Sequence, residues 1–226
     1  QPHGSGVKFK EEYIMVVQHN LTAMNSNRML GLTTKTQAKS TEKLSSGYKV
    51  NRAADDAAGL AISEKMRRQV RGLTQASLNA QDGISAVQTA EGALNEVHDM
   101  LQRMNELAVK AANGTNQTED RSYIQLEIDA LVSEIDRVQM TTTFNEKKLL
   151  NGSFNSVSLW VGAETASKNG ITVTISKMSA SALSINGIKV SGDGKVGTSN
   201  AKAAISKIKT ALSKVSAQRA KLGAVQ

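Results

Sequence analysis

Between Ala80 and Ala112 the chain reads AQDGISAVQTAEGALNEVHDMLQRMNELAVKAA, and this stretch decides the fold. Val87, Leu94, Leu101 and Ala108 recur every seven residues, and Ala90, Val97, Met104 and Ala111 form a second series offset by three. Two such rows are the a and d positions of a seam along which one helix packs on others. Carried backwards, the first row meets Ala80, Leu73 and Met66, and the second meets Gly83, Ala76, Gln69 and Ile62. The seam is therefore strong at its C-terminal end and weaker before Gln81. Asp55 and Asp56 suit a helix start, where carboxylates meet the positive end of the macrodipole. One helix from about Asp56 to Ala112 is predicted, roughly 85 Å long at the usual rise. A rounded domain needs no helix of that length.

Upstream, Ser45-Ser46-Gly47 is a stop, and Tyr48 to Ala54 a connector. Val16 to about Ser46 is predicted helical, with Val17, Leu21, Met24, Leu30, Leu32, Ala38 and Leu44 as an irregular apolar stripe. Alone such a helix is marginal, so it needs partners to become ordered. Residues 1–14, opening Gln-Pro-His-Gly-Ser-Gly, read as a leader or fusion scar ahead of a natural start at Met15.

Downstream, Asn113-Gly114-Thr115-Asn116 ends the long helix and Thr118-Glu119-Asp120 starts another. Ile124, Ile128, Leu131, Ile135 and Val138 alternate spacings of four and three, and the short loop folds this helix back antiparallel. From about Ser156 the period falls to two. Val157, Leu159 and Val161, then Ile171, Val173 and Ile175, predict short strands. Leu183 and Ile185, the Asn186-Gly187 turn, and Ile188 and Val190 predict a further hairpin. Ser191 to Ser199 reads as a Gly-rich loop. Helical spacing resumes with Ala201, Ile208, Val215 and Leu222, supported by Ala204, Ala211 and Val225, and is still running at Gln226. A seam that stops mid-pattern reads as a cut chain. The expected fold class is mainly α: a long antiparallel helical bundle or coiled coil with a small β-hairpin region.

Composition agrees. Aromatics make up only 3% of the 226 residues, too few for the usual rounded enzyme core. The single proline is Pro2, so no later position breaks a helix on that ground. The absence of cysteine removes disulfides, thiolate metal sites and cysteine nucleophiles. No apolar run approaches the roughly 18 residues of a membrane span, and no basic-then-apolar secretory signal opens the chain. The formal charge of +8 raises the question of nucleic acid, but the densest basic patch, Lys65, Arg67, Arg68 and Arg71, carries no aromatic for base stacking. The expectation is no nucleic acid and no membrane insertion.

Chemistry is not legible either. His3, His19 and His98 are the only histidines, and none has a carboxylate at metal-ligand helical spacing. Asp99, next to His98, points to another face of the helix. Gly-Asp-Gly-Lys at 192–195 lacks the rest of a phosphate loop. Asp55-Asp56 and Glu119-Asp120 sit at predicted helix starts, where capping accounts for them. The expectation is no catalytic residue, no metal and no cofactor.

One family matches these residues. Leu44-Ser-Ser-Gly-Tyr-Lys-Val-Asn-Arg-Ala-Ala-Asp-Asp-Ala-Ala-Gly-Leu-Ala-Ile62 resembles the N-terminal signature of bacterial flagellin. Gly72-Leu-Thr-Gln-Ala76, Asn79-Ala-Gln-Asp-Gly-Ile-Ser85 and Gln88-Thr-Ala-Glu-Gly-Ala-Leu-Asn-Glu96 continue the match in order. Asn145 with Lys148-Leu149-Leu150 is similar to the family's entry into its β region. Ala211-Leu-Ser-Lys-Val215 and Leu222-Gly-Ala-Val-Gln226 resemble the start of its C-terminal core helix. The resemblance implies a structural subunit, not an enzyme, that leaves the cell unfolded through the flagellar export machinery. It would assemble beneath the cap with other flagellin subunits into the extracellular filament. It also implies domains: 15–55 as the D0 helix and connector, 56–155 as the D1 N-terminal helices, 156–199 as a small β region with a reduced variable segment, and 200–226 as the start of the C-terminal D1 helix. Against the family pattern, the outer variable domain is almost missing, and so are the rest of that last helix and the C-terminal D0 segment.

Flagellins are also ligands of vertebrate Toll-like receptor 5. The family's receptor motif lands on Gln102-Arg-Met-Asn-Glu-Leu-Ala-Val109 with a contribution from Ile124-Gln-Leu-Glu-Ile128, and Arg103, Leu107 and Glu127 match the contacting positions. Asn105 departs from the basic residue often found there. The same residues also suit filament packing. Two other readings stand beside the filament subunit: a hook–filament junction protein, and a chemoreceptor-like signalling hairpin.

Overall fold

The computed structural model describes residues 20–226. The expected leader at 1–14, the start at Met15 and the first residues of the N-terminal helix lie outside the described residues. Two compact units divide the chain, one ending at Lys65 and the other spanning Met66–Gln226.

In the first unit, α1 (Leu21–Ser46) begins where the Asn20 side chain accepts from the Ala23 N–H at 3.1 Å. It ends at Gly47, whose φ of 72° lets its N–H turn back to the Lys43 carbonyl. No residue of α1 is buried. The connector is fastened to the same helix by polar contacts: Arg52 Nε donates to Glu42 at 2.9 Å, and Lys39 pairs with Asp55 at 2.6 Å. Asp55 and Asp56 thus divide the work that sequence gave to both. Asp56 caps the next helix, accepting from the Gly59 N–H at 2.8 Å, while Asp55 ties back to α1.

That next helix, α2, runs Ala57–Ala112, 56 residues. Both heptad rows from Val87 to Ala111 are buried, as expected. α3 (Thr118–Thr141) opens with Asp120 accepting from the Gln117 N–H at 3.0 Å, and buries Ile124, Ile128 and Ile135. α5 (Gly194–Gly223) supplies Ala201, Ala204, Ile208, Ala211, Val215 and Leu222.

Strands β1 (Thr143–Phe144) and β2 (Lys147–Lys148) pair through a two-residue turn in which Asn145 and Glu146 both take positive φ, 47° and 64°. Sequence periodicity did not mark this hairpin. β3 (Val157–Trp160) and β4 (Gly170–Val173) fall on the two stretches expected as short strands, ending before Val161 and Ile175, and pair antiparallel with Leu159 opposite Ile171. This hairpin explains the weakened seam before Gln81. Leu159 occupies the space a side chain at Gly83 would need, and Ala163 does the same at Gly72. Asn79 donates to the Trp160 carbonyl at 3.0 Å, so here α2 packs on strands and not on a helix.

Two expectations are corrected. Residues 183–190 are not a hairpin. Ser179 caps a single helical turn, α4 (Ala180–Leu183), and the rest is irregular. The alternation was real, since Ile185, Ile188 and Val190 are buried and Asn186 and Lys189 exposed. The hydrogen-bonding partner, however, is a side chain: Gln125 of α3 donates to the Ile188 carbonyl at 2.8 Å and accepts from the Val190 N–H at 2.7 Å. Nor is Ser191–Ser199 a loop throughout, because α5 already begins at Gly194. Its first turn, closed by the Gly197 N–H on the Asp193 carbonyl, needs glycine at 197, where a Cβ would meet Gly192 and Arg121.

Candidate functional site

The three residues singled out from sequence meet in one groove of about 530 Å³ between α2 and α3. Antiparallel packing brings Arg103 opposite Glu127, and its guanidinium lies 2.8 Å from that carboxylate and 3.2 Å from Glu106, one turn further along α2. Glu127 first, then Glu106, holds Arg103 protonated above its already high ordinary pKa. Both acids are solvent-exposed, so the pairs orient the guanidinium more than they stabilise the fold. Lys110, Asp120 and Tyr123 complete the rim.

Leu107 forms the floor. It is only 3% exposed, packed in the core cluster, so it supports the groove from beneath and offers little surface of its own. Of the stretch 124–128, Ile124 and Ile128 are likewise buried and Gln125 is engaged with the irregular segment. Leu126 and Glu127 face outward. Asn105 is half-buried, while Val109 is exposed. His98 sits at the boundary, near Gln102 at 3.1 Å.

Sequence reasoning missed a set of polar side chains that fasten the helices to the segments around them, one of them, Arg121, at the same end as the groove. Arg121, 1% exposed, donates to the carbonyls of Ala111 and Asn113, both at 3.1 Å, and to Thr198 at 3.3 Å. A guanidinium from α3 therefore satisfies the carbonyl end of α2, where the helix dipole favours positive charge. Asp136 accepts from the Ala180 N–H at 2.8 Å, and Gln218, at a heptad position of α5, donates to the Thr174 carbonyl at 2.9 Å. The one available signal was a polar residue inside an otherwise apolar row, as at Gln218.

Among the described residues no group of three His, Asp or Glu side chains could hold a metal ion, and no helix is long and apolar enough to cross a membrane.

Comparison with known proteins gives a consistent result. The family model described as the bacterial flagellin N-terminal helical region matches residues 17–155. A flagellin of Halalkalibacterium halodurans is 53% identical over 166 residues, 74% of this chain and 61% of the relative. A flagellin of Clostridium tyrobutyricum is 60% identical over 139 residues, and the chain spans only 37% of its length. The flagellar filament 31.3 kDa core protein of Treponema maltophilum is 46% identical over 224 residues, 94% of this chain and 77% of that protein. Among solved structures, a crystal structure of Bacillus cereus flagellin superposes with a TM-score of 0.52 at 27% identity, covering 64% of this chain and 80% of that one. With the helical seam, the strand pair against it and the sequence agreement all pointing one way, the chain belongs to the bacterial flagellin family.

Proposed function

We propose that this chain is a structural subunit of the bacterial flagellar filament, assembling with other flagellin subunits through its helices and catalysing no reaction. The observation that carries the reading is an apolar face left uncovered. On α2, Met66, Val70 and Leu73 follow one another at spacings of four and three, yet each is more than half exposed. On α1, Leu21, Met24, Leu30 and Leu32 are exposed in the same way. Helical apolar faces in water call for further helices. In this reading α1 with its connector takes the D0 role, and the three long helices with their strands take the D1 role. Export through the flagellar machinery, growth beneath the cap and an extracellular location belong to the same reading, whose filament part is supported by the names of the Treponema relatives, flagellar filament core proteins.

The test is electron microscopy of the purified chain offered to sheared filament seeds. The parent is expected to add to the seeds, and Met66→Asp/Leu73→Asp, with unchanged helicity by circular dichroism, to fail. Equal addition of both would remove this face from assembly. No addition of the parent would overturn the subunit reading.

The groove supports a second role of the same chain, as a ligand of Toll-like receptor 5. Arg103 is exposed and held in place by two carboxylates, the arrangement of an interface anchor. Arg103→Ala should weaken receptor binding by about 2 kcal/mol, roughly thirtyfold. Equal affinity of the two proteins would reject Arg103 as an anchor.

A further inference from the structure

Charge is divided unevenly along the chain. Residues 174–226 hold nine basic side chains and a single acidic one, Asp193. The preceding 173 residues hold nineteen of each sign, so the whole formal charge of +8 falls on the C-terminal stretch. The basic patch that stands out in sequence, Lys65, Arg67, Arg68 and Arg71, lies in the balanced part, and Arg68 there reaches Glu164 at 3.7 Å. All eight lysines of 174–226 are exposed, and among the described residues none of them is ion-paired. The one arginine, Arg219, is turned to Glu91 at 3.8 Å.

Six of these lysines ride on α5 in two rows. Lys195, Lys202 and Lys209 stand seven apart towards its start, and Lys207, Lys214 and Lys221 seven apart towards its end. Residues at that spacing share a helix face, and Lys195 to Lys221 covers about 39 Å. The outward positions among them are small: Ser199, Ala203, Ser206, Ser213 and Ala217 are all exposed. Nothing bulky there holds a ligand away from the ammonium groups. Each row borders a groove whose wall contains no carboxylate. One, of about 530 Å³, is lined by Lys195, Thr198, Ser199 and Lys202 beside Gly114 and Gly194. The other, of about 280 Å³, has Lys177, Lys214 and Lys221 around Ser176 and Ala217. Lys214 is held in place there by donating to the Ala182 carbonyl at 2.9 Å. Asp193 is engaged by Thr118 at 3.1 Å and is outside both walls. From Thr198 in one groove to Ala217 in the other is about 28 Å along the helix.

We infer that α5 is a docking face for a linear anionic polysaccharide, whose sulfate or carboxylate groups enter both grooves while the chain between them crosses the small outward residues. Within a row the charges stand about 10.5 Å apart, roughly a Debye length at physiological salt. They therefore act almost singly on a small anion and together on a polymer that reaches several at once. Such a polymer also releases the counterions condensed on it. Nucleic acid fits this face less well. α5 has no aromatic side chain on which a base could stack, and its only arginine is already turned to a carboxylate. A membrane surface fits less well too, because Val196 is the one large apolar side chain that α5 exposes. The inference does not depend on the subunit reading.

Titration of the purified chain with heparin, the polysaccharide probe, at physiological salt tests this. Lys195→Gln/Lys202→Gln and Lys177→Gln/Lys221→Gln, one pair for each groove, should each lower affinity by about tenfold. Lys65→Gln/Arg71→Gln removes the same charge from the balanced part and should change it by no more than about twofold. A heparin tetrasaccharide, too short to join the grooves, should bind at least about tenfold more weakly per disaccharide than the polymer. Helicity is checked for each variant. Should a groove pair lose it, the parent's dependence on salt and on oligosaccharide length still decides. The inference is overturned if the parent does not bind heparin, if the groove pairs bind as the parent does, or if the control pair costs as much. A tetrasaccharide that binds as tightly as the polymer also overturns it. Tighter binding to single-stranded DNA, or to vesicles of phosphatidylserine and phosphatidylcholine, would give the face to that partner and overturn the polysaccharide assignment. None of these outcomes bears on seeded addition, so the subunit reading stands or falls separately.

Discussion

Arg121 is a cation in the interior whose hydrogen-bond acceptors are three carbonyls and a hydroxyl. Its worth lies in satisfying the end of α2 and the start of α5 together. Arg121→Met should lower the unfolding free energy by about 2–4 kcal/mol, read from urea denaturation, because the carbonyls it serves are left without donors. Arg121→Lys should recover only part of this, since one ammonium does not span acceptors on three segments. A Met variant as stable as the parent would remove the residue from this role. Asp55 makes a smaller, pH-dependent contribution. Its hydrogen bond and ion pair with Lys39 hold the carboxyl below its ordinary value of 3.8. A carboxyl lowered by folding stabilises at pH above its unfolded value, and that contribution disappears as pH falls through the folded one. The connector should therefore loosen only in acid below about pH 3.8, and Lys39→Met should move the NMR titration midpoint of Asp55 upward. An unmoved midpoint rejects the pair.

Elements differ in how far their own sequence determines them. The span of α2 was readable to within a residue because its caps are local, Asp56 at one end and Asn113-Gly114 at the other, and because its partners on the core side are helices that impose a heptad. Asp56→Ala should cost about 1 kcal/mol of helix stability and speed amide exchange in the first turn. Unchanged exchange at Gly59 would show that the cap is not used. The segment 174–193 was unreadable for the opposite reason. Its alternation of buried and exposed residues is strand-like, but Gln125, Asp136 and Gln218, on helices far away in sequence, take the places a neighbouring strand would hold. Gln125→Leu should open the backbone at Val190, seen as faster exchange there, at a cost of about 1–3 kcal/mol from unpaired groups. The residues proposed to meet the receptor show a similar limit. Arg103, Leu107 and Glu127 line one groove, yet sequence did not reveal that Leu107 would be its floor, because burial depends on the height of neighbouring helices and not on spacing along one.

At the scale of the whole molecule, the same heptad row serves two purposes. Leu101 and Leu73 are the same residue type in the same row, four heptads apart, and their exposures are 0% and 56%. Around Leu101 the chain itself provides α3 and α5. Beside Leu73, among the described residues, the loop joining β3 and β4 reaches Gly72 through Ala163, and more than half of the Leu73 side chain remains in water. Apolar periodicity reports that a partner is wanted but not whether the partner is in the same chain, so the row looked continuous in sequence while its energetics are split. Leu101→Ala leaves a cavity and should cost about 2–5 kcal/mol of unfolding free energy in the isolated chain. Leu73→Ala should change that quantity by no more than about 0.5 kcal/mol. Seeded addition should rank them the other way at a temperature where both remain folded, with Leu73→Ala the poorer. If Leu73→Ala proves as damaging as Leu101→Ala to the isolated chain, the N-terminal part of the row serves the fold. If it adds to seeds as well as the parent, that part of the row serves neither purpose.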